Sequence, residues 1–431
     1  MNLEQQQVVD IAQDLLSRRF GGQQKLSEVE ELSGSGHAVV LRARVASSPF
    51  LQQRTVVLKH NPPTGQALDD VAFISEVVAY QFTTSLSEDT RPGPVLLAHD
   101  IDERILVLTD LGDSNTLSDT LVKADDEERL QVIRALGTEL GQMHADTAGR
   151  EPDFEALANR VIRNQPDIIN YQLRAEALHN SIYLGLEILK RAGLTPPEAV
   201  SSYANASAAT LLSGNERAFT PFDLSPDNII VSQKISFLDY EWAGFRNVGF
   251  DVACVIAGFP QFLFARPISD EEGDVFIHAW AREVVGTWPR FGESEELNRL
   301  IVRSLIGWAL SSVATMYAGG VEELAAFSSE DREIDDVFAN SLLRGSNQAP
   351  FSDDELLIRR DLYETFESLH RFAARRGRGS YAEEYKSIEE FSQQVADRLR
   401  EPRPNNYREP RYLLGRLTEA IQETVQGLGL F

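Results

Sequence analysis

The sequence predicts an α+β fold of two lobes: a small lobe built on an antiparallel sheet and a larger, mostly helical lobe. Residues 1–112 alternate short β-like runs with two helical runs, and from residue 113 onward the helical period dominates. The chain has 431 residues, a length that fits two domains or one domain made of two lobes.

The small lobe is predicted from apolar periodicity and from the turn residues that interrupt it. Val8, Ile11 and Leu15 recur at helical spacing, which indicates a first helix over residues 3–18. A second helical run covers residues 71–84. The β-like runs are rich in Val, Ile and Leu and cover residues 28–32, 38–45, 54–60, 95–100 and 104–108. Successive strands joined by short turns favour antiparallel pairing.

The large lobe is predicted to be helical with one β-like interruption between residues 218 and 239. The short basic cluster from Arg375 to Arg378 is interpreted as a solvated loop between two helices. The predicted helices cover residues 127–144, 154–164, 169–190, 197–212, 270–286, 295–319, 353–374, 381–400 and 411–428.

The charge balance excludes one class of partner. The chain has 41 Lys and Arg residues against 66 Asp and Glu residues, a formal net charge of −25. Such an excess of acid repels phosphate backbones, so nucleic-acid binding through a broad basic face is not expected. A cationic small molecule is a more compatible partner. Composition does not predict the oligomeric state.

The cysteine count and the hydropathy pattern bear on the compartment. Cys254 is the single cysteine, so the chain forms no internal disulfide and no cysteine-type zinc site. The first 20 residues lack the basic start and continuous apolar run of a signal peptide. No run of 18 apolar residues appears, so no membrane partner is expected. These features lead us to expect a cytoplasmic protein.

Several familiar catalytic signatures are missing from the sequence. It contains no Gly-x4-Gly-Lys-Ser/Thr loop, no Gly-x-Gly-x-x-Gly after a strand, no His-Glu-x-x-His and no Gly-x-Ser-x-Gly. The P-loop, Rossmann, zinc-protease and α/β-hydrolase classes are therefore excluded.

Three weak signals lie in the small lobe. The turn Ser33, Gly34, Ser35 and Gly36 joins two strands, where backbone N–H groups could cradle phosphate, although an ordinary hairpin turn has the same composition. Lys59 ends an apolar strand and is one of only six lysines; it either faces a cleft or lies in solvent at a sheet edge. Glu76 follows 17 residues later on a largely apolar helix, and either meets Lys59 or faces solvent.

A stronger signal lies in the β-like interruption of the large lobe. Asp223 is followed five residues later by Asn228 and sixteen residues later by Asp239, and the apolar run 229–231 lies between the last two. This spacing can place one carboxylate beside an acceptor hydroxyl, while an amide and a second carboxylate reach a shared metal ion. A β-hairpin with polar turn residues is the plainer alternative.

The ordered set resembles the protein-kinase-like fold and, in detail, the aminoglycoside phosphotransferase and choline kinase family. The set comprises a Gly-rich turn, a strand lysine, a helix glutamate, Asp-x4-Asn and a later Asp. The segment 136–145 is similar to the family's helix that ends in Leu-His, and the segment 106–112 is similar to its hinge. Residues 239–253 resemble its metal-aspartate segment and the Asp-Leu-Ala element that follows. The likeness spans about residues 26–258.

The resemblance implies roles for these residues. The Gly-rich turn at 33–36 would hold phosphates, Lys59 would bind the α- and β-phosphates, and Glu76 would hold Lys59. The backbone from Thr109 to Leu111 would meet the edge of adenine. Asp223 would orient or deprotonate the acceptor hydroxyl, and Asn228 and Asp239 would bind Mg²⁺. His37 and His144 are interpreted as structural.

The resemblance also implies a lobe assignment and an activity. Residues 1–112 would form the nucleotide-binding lobe, and 113–431 a helical lobe with a catalytic loop at 220–252 and acceptor-binding helices at 253–431. The expected function is ATP- and Mg²⁺-dependent transfer of the γ-phosphate to a hydroxyl of a small molecule, with GTP an open alternative to ATP. The charge favours a cationic acceptor of the aminoglycoside or amino alcohol type.

One departure from the family pattern supports a different function. Pro221 and Phe222 stand where the family has His-Gly. The alternative is therefore a pseudokinase-like module that binds nucleotide or a partner with little or no turnover. A protein kinase is a third reading, weakened by the short segment between Asp239 and Asp251, which leaves little room for a peptide-docking loop.

Overall fold

The computed structural model describes residues 3–32, 38–65, 67–165, 173–259, 266–318, 342–345 and 350–400. It confirms the α+β class with a small antiparallel-sheet lobe and a large helical lobe. The predicted turn at 33–36, His37, the start of the predicted helix at 169 and the predicted helix at 411–428 lie outside the described residues.

The small lobe is a five-stranded antiparallel sheet with one helix on each side. Its strand order is β1-β2-β3-β5-β4, so β3 is the central strand. Alternate residues of β5 enter two separate cores: Ile105 and Val107 pack with α1, and Leu106 and Leu108 with α2. The elements are α1 Leu3–Phe20, β1 Leu26–Glu31, β2 Val39–Val45, β3 Thr55–His60, α2 Ala67–Ser85, β4 Leu96–Asp100 and β5 Ile105–Thr109. The lobe boundary at residue 112 stays a prediction.

The helical lobe is built around two long buried helices, α4 and α10. Its helices are α3 Leu117–Lys123, α4 Asp126–Thr147, α5 Glu151–Arg163, α6 Leu173–Arg191, α7 Glu198–Leu211, α8 Gly249–Ile256, α9 Asp270–Val284, α10 Ser294–Ala318, α11 Asp353–Arg376 and α12 Ala382–Leu399.

Two short sheets within the large lobe position the loop that carries Asp223. The strand β7 pairs with β10, and β6, β8 and β9 form an antiparallel group of three. The sequence predicted one β-like interruption and missed β6, β10, α3 and α8. The strands are β6 Asn115–Thr116, β7 Arg217–Thr220, β8 Ile229–Val231, β9 Ile235–Phe237 and β10 Gly244–Asn247.

The helix α10 is the central helix of the large lobe. It packs against α6, α7, α8 and α11. By length and composition this helix could cross a membrane, but 83% of its most apolar window is buried inside the fold. A helix in the core of a globular domain passes the same test of length and composition, because it too is apolar on most sides.

The basic cluster after residue 374 is not the solvated loop that the sequence predicted. Arg375 and Arg376 lie in the last turn of α11, and each forms an ion pair with Asp274 on α9. Arg375 also pairs with Asp270. The cluster therefore joins two helices, and the exposed connection begins at Gly377.

Candidate active site

A cavity of about 480 Å³ lies between the sheet and the helical lobe. Apolar side chains from both lobes line it: Val40, Val57 and Leu108 from the sheet, and Ile230 and Leu238 from the β8–β9 hairpin. Its polar lining includes both acidic and basic groups. A cleft with an apolar part and a charged part suits a ligand that combines a planar base with phosphates.

The charged part of the cavity is organised by Lys59. Lys59 lies on the central strand β3, so the edge-strand alternative is wrong. Its Nζ is 2.7 Å from Oε1 of Glu76 and 2.7 Å from Oδ1 of Asp239. Glu76 is buried on α2, and the side chain of Asp239 is 34% exposed toward the cavity. One ammonium group therefore joins two carboxylates from different lobes.

The backbone around Asp239 is held in an unusual conformation. Asp239 has φ +57°, in the left-handed region that non-glycine residues rarely occupy. Its N–H donates to the hydroxyl of Tyr80 at 3.3 Å, and Tyr80 lies one helical turn after Glu76 on α2. The same helix thus positions both partners of Lys59. Tyr80 was not predicted from the sequence, although its i+4 spacing from Glu76 was a signal.

Burial and neighbouring charges shift the titration of these groups. Burial acts to lower the pKa of Lys59, but the charges of Asp239 and Glu76 outweigh it and raise the pKa well above its usual value. Burial raises the pKa of Glu76, against the lowering effect of Lys59. Lys59 therefore stays protonated and keeps a fixed positive charge in the cleft.

Asp223 lies in the loop between β7 and the short 3₁₀ turn Pro226–Asn228. The Ser225 N–H donates to Asp223 Oδ1 at 3.1 Å, and Asn228 Nδ2 lies 3.5 Å from Oδ2, at the limit of a hydrogen bond. Burial, followed by the charges of Asp239 and Glu241, raises the pKa of Asp223 to about 7. A carboxylate in this range is suited to accept a proton near neutral pH.

Phe222 gives this loop its unusual geometry. It has φ +67°, a conformation that costs a bulky side chain about 1–2 kcal/mol. Its ring packs 5.5 Å from the ring of Trp308 and 6.3 Å from that of Phe250, and Arg246 lies 4.8 Å over it. Packing therefore holds in place a backbone turn that glycine would adopt without cost.

The hinge segment, residues 106–112, borders the cavity, where Thr109 and Leu111 both line the wall. The Thr109 N–H already donates to the Val95 carbonyl at 2.9 Å, and the Thr109 hydroxyl accepts from the Val95 N–H at 2.9 Å. The predicted contact of this backbone with adenine would therefore use groups other than the Thr109 N–H.

A cluster of ion pairs at the hinge was not predicted from the sequence. Arg42 on β2 binds Asp110 through Nε at 2.9 Å and through Nη2 at 3.2 Å, and it binds Asp113 as well. Burial acts to raise the pKa of Asp110, but hydrogen bonds from Gly112, Thr55 and Arg42 lower it overall. This cluster fastens the hinge to the sheet at the rim of the cavity.

Glu241 is a further acidic residue whose role was not predicted from the sequence. It lines the same cavity two residues after Asp239. Burial, followed by the charge of Asp239, raises its pKa. No sequence periodicity marked Glu241, because Asp239 has φ +57° and Glu241 lies in a turn.

The predicted metal ligands fit the chemistry of Mg²⁺. Asn228 and Asp239 both line the cavity and can supply an amide oxygen and a carboxylate oxygen. Mg²⁺ prefers such hard oxygen donors and takes its other ligands from phosphates and water. Among the described residues no group of three or more His, Cys, Asp or Glu side chains is placed to hold a metal ion by itself.

His144 lies away from this cavity. It is buried, its Nε2 is 3.2 Å from Asp251 Oδ2, and its Nδ1 accepts from Trp280 Nε1–H at 3.0 Å. Since Nδ1 is an acceptor, the ring proton lies on Nε2 and is donated to Asp251. These bonds join α4, α8 and α9.

Known proteins similar to this chain share little of its sequence. No curated protein matches the chain. Solved structures similar to it include the choline kinase LicA from Streptococcus pneumoniae, with 14% identity over 84% of this chain and 98% of the kinase and a TM-score of 0.40. A gentamicin complex of APH(2″)-IIa has 13% identity over 79% and 98% of the two chains and a TM-score of 0.42. An aminoglycoside-3′-phosphotransferase of type VIII has 19% identity over 69% and 99% and a TM-score of 0.36.

At these identities and TM-scores, the assignment depends on the family match rather than on the structural likeness. Residues 49–293, more than half of the chain, match the phosphotransferase enzyme family known as APH. The matched range contains Lys59, Glu76, Asp223, Asn228 and Asp239. The chain belongs to the phosphotransferase enzyme family.

Proposed function

We propose that the protein transfers the γ-phosphoryl group of ATP to a hydroxyl group of a small molecule, with Mg²⁺. The observation that carries this proposal is the position of the Lys59 ammonium group, 2.7 Å from both Glu76 and Asp239 at the edge of an apolar cleft. Phosphoryl transfer requires charge neutralisation and positioning more than covalent participation of the protein.

Each group has a separate task in the proposed reaction. Lys59 binds the α- and β-phosphates, and Glu76 keeps its ammonium group pointed into the cleft. Asp223 accepts the proton of the acceptor hydroxyl as the new bond from oxygen to the γ-phosphorus forms and the bond to the β-phosphate oxygen breaks, leaving ADP. Asn228 and Asp239 would hold Mg²⁺, which neutralises charge on the phosphate oxygens.

The apolar walls of the cleft support a purine base as the other part of the nucleotide. Val40 and Val57 lie on the sheet side and Ile230 and Leu238 on the opposite side, so a planar ring could be enclosed between the lobes. Apolar walls alone do not distinguish adenine from guanine, so ATP and GTP are both candidates. The buried single cysteine supports a reducing, cytoplasmic setting as part of the proposal.

A second candidate function is nucleotide binding without turnover. The strained Phe222 and the proline before it favour this alternative, because both lie beside Asp223 and differ from the family pattern. The two functions share the nucleotide cleft and differ in the chemistry at Asp223.

The test measures ADP release from ATP and from GTP with a panel of amino alcohols, amino sugars and neutral polyols. Asp223→Asn keeps the shape of the side chain and removes the proton acceptor, so turnover should fall by about 100-fold or more while nucleotide binding persists. Asp89→Asn, at an exposed turn outside the site, is the control and should behave as wild type. Nucleotide binding with no transfer to any acceptor would favour the second function, and equal turnover of wild type and Asp223→Asn would refute the role of Asp223.

A further inference from the structure

A second cavity, of about 570 Å³, adjoins the nucleotide cleft at Glu241, which lines both. The helices α2, α5 and α6 and the strands β7 and β10 all contribute residues to its lining. Its volume is in the range of small-molecule binding sites, about 300–1,000 Å³. The residues assigned to the nucleotide and to Mg²⁺ lie in the first cavity, so the second has room for another compound.

The second cavity reaches the catalytic loop through Arg246 on β10. The Arg246 guanidinium lies 4.8 Å from the centre of the Phe222 ring, and Phe222 directly precedes Asp223. The strand β10 also pairs with β7, whose last residue, Thr220, leads into the same loop. A compound in this cavity therefore lies beside the loop that carries Asp223 and, at Glu241, beside the nucleotide cleft.

The border between the two cavities is fixed by Arg174 at the start of α6. Its Nη1 donates to the Glu241 carbonyl oxygen at 2.9 Å, and its guanidinium lies 3.6 Å over the Trp242 ring. Arg246 Nη1 donates to the Trp242 carbonyl oxygen at 2.6 Å. Two elements thus hold the turn at residues 241–242, so this wall is formed before a ligand binds and less ordering is required on binding.

The lining of the second cavity carries equal numbers of positive and negative groups. Its charged residues are Arg174, Arg217, Arg246, Glu151, Glu155 and Glu241. One of the three arginines, Arg217, forms an ion pair with Glu151. An ammonium group in this cavity would face three arginines, and a carboxylate would face three glutamates. The local charges therefore favour an uncharged compound, although the whole chain is strongly acidic.

The helix α5 presents two polar side chains to this cavity. Glu155 and Asn159 are one helical turn apart, both are exposed, and both line the wall. A carboxylate accepts hydrogen bonds and an amide both donates and accepts them, so the pair matches hydroxyl groups, which also do both. Ile162 and Trp242 add an apolar part to the lining. This combination suits a ring with hydroxyl groups at its edge and C–H groups on its faces.

We propose that the second cavity holds the phosphate acceptor and that this acceptor is an uncharged polyhydroxy compound, a sugar or a cyclic polyol, hydrogen-bonded to Glu155 and Asn159. The inference rests on the proposed function and replaces the cationic acceptor that the overall charge favoured. The hydroxyl next to Asp223 gives its proton to that carboxylate and gains the γ-phosphoryl group, and ADP is the leaving group.

The first experiment compares three compounds of the same ring shape with the full chain. Glucose is uncharged, glucosamine with its amine protonated is a cation, and glucuronate is an anion. Galactose, N-acetylglucosamine, maltose and myo-inositol extend the neutral set and separate sugars from a cyclic polyol. Calorimetric binding and phosphate transfer should both occur with at least one neutral compound. The charged analogues of that compound should bind about 10-fold more weakly or worse, because part of the lining repels them.

Two substitutions of Glu155 separate a hydrogen bond from a charge. Glu155→Gln keeps an acceptor oxygen and loses the charge, so the KM for the neutral acceptor should change by less than about 3-fold. Glu155→Ala should raise this KM by about 10-fold, as expected for one lost hydrogen bond, and Asn159→Ala should have an effect of the same size. The kcat and the KM for ATP should stay unchanged. Glu390→Ala, at an exposed residue of α12, is the control and should alter none of these constants.

Each result decides for or against the neutral acceptor. A preference for glucosamine or glucuronate over glucose would overturn the inference, as would a failure of every neutral compound to bind. Equal losses in Glu155→Gln and Glu155→Ala would show recognition of a charge and would also overturn it. Neutral-compound binding that depends on Glu155 and Asn159 without phosphate transfer would support the inference and contradict the proposed function. Phosphate transfer that is insensitive to both residues would do the reverse.

Discussion

Lys59 and Asp239 are 180 residues apart in the chain, and their charged atoms lie 2.7 Å apart in the structure. Lys59 comes from the central strand of the small sheet, and Asp239 follows the β8–β9 hairpin of the large lobe. Their contact spans the cleft between the two lobes. The charged site therefore exists only when both lobes are folded and correctly placed.

Replacing Lys59 by Met should affect function and stability together. Loss of the ammonium group removes the charge that would meet the nucleotide phosphates, so phosphate transfer should fall by about 100-fold to 1,000-fold. Glu76 would remain buried without its cation, so the free energy of unfolding should decrease by about 3 kcal/mol. Calorimetric nucleotide binding and urea unfolding measure the two effects.

Two further variants separate these effects. Lys59→Met combined with Glu76→Gln removes both buried charges, so it should regain part of the stability but none of the activity. Lys123→Met, at an exposed lysine on α3, should change neither. If the double variant recovers activity, Lys59 does not act on the nucleotide.

The sequence predicts the Lys59–Glu76 pair because both residues lie in regular elements. Lys59 ends a strand of apolar residues and Glu76 lies on an apolar helix, and packing of these two elements brings their few charged groups together. Tyr80 and Arg42 were missed because their roles depend on contacts between elements, which periodicity does not encode. The left-handed backbone at Phe222 was also unpredictable, since a bulky residue rarely occupies that region. Asp239 adopts it as well, and aspartate does so more often than most other non-glycine residues.

At Phe222 the usual order of stability, with alanine above glycine, should be reversed. At an ordinary φ, alanine is more stabilising than glycine by about 0.5–1 kcal/mol. At the positive φ of Phe222, glycine avoids the steric cost, so Phe222→Gly should be more stable than Phe222→Ala by about 1 kcal/mol. Both variants lose the packing on Trp308 and should be less stable than wild type. Chemical denaturation of the purified variants gives the difference.

The matched control is Phe250, which stacks on Phe222 and lies in the helix α8. In this helix the usual order of stability should hold, with Phe250→Ala more stable than Phe250→Gly. The same order at both positions would show that the loop around Phe222 relaxes on substitution and that its strain does not persist.

The close crossing of α4 and α9 gives a third prediction. A Cβ atom at Gly141 would lie 2.8 Å from the Trp280 carbonyl oxygen, so Gly141→Ala must push the two helices apart. Thermal unfolding should show a loss of about 1–3 kcal/mol. Gly273→Ala on α9 has open space around the added Cβ and should instead gain about 0.5–1 kcal/mol. If Gly141→Ala leaves the stability unchanged, α9 shifts freely to make room for the added Cβ.

The positions of the long helices were easier to predict than their burial and their contacts with other helices. The long helices α4, α9, α10, α11 and α12 follow from apolar periodicity, and the structure confirms them. The helix α8 was missed because all of its residues are buried, so it shows no polar face. The Arg375–Arg376 cluster was wrongly placed in solvent because its partners on α9 lie about 100 residues earlier in the chain.

Asp361 should make the stability of the protein depend on pH. Its pKa is raised in the folded state by burial and by Glu364 on the same helix. The unfolded side chain ionises near a pKa of about 3.9. Above that pH the folded state keeps a proton that the unfolded state has lost, so the free energy of unfolding should fall as the pH rises from about 4 toward the raised value.

Asp361→Asn should remove this part of the pH dependence. The variant cannot ionise, so urea unfolding at pH 5 and pH 8 should show a smaller loss of stability on raising the pH than in wild type, and the difference should amount to about 1.4 kcal/mol for each unit of pKa shift that lies within the range. Glu390→Gln should keep the wild-type slope, since that residue is exposed. An equal slope in wild type and Asp361→Asn would mean that Asp361 is ionised in the folded protein and already has a cationic partner.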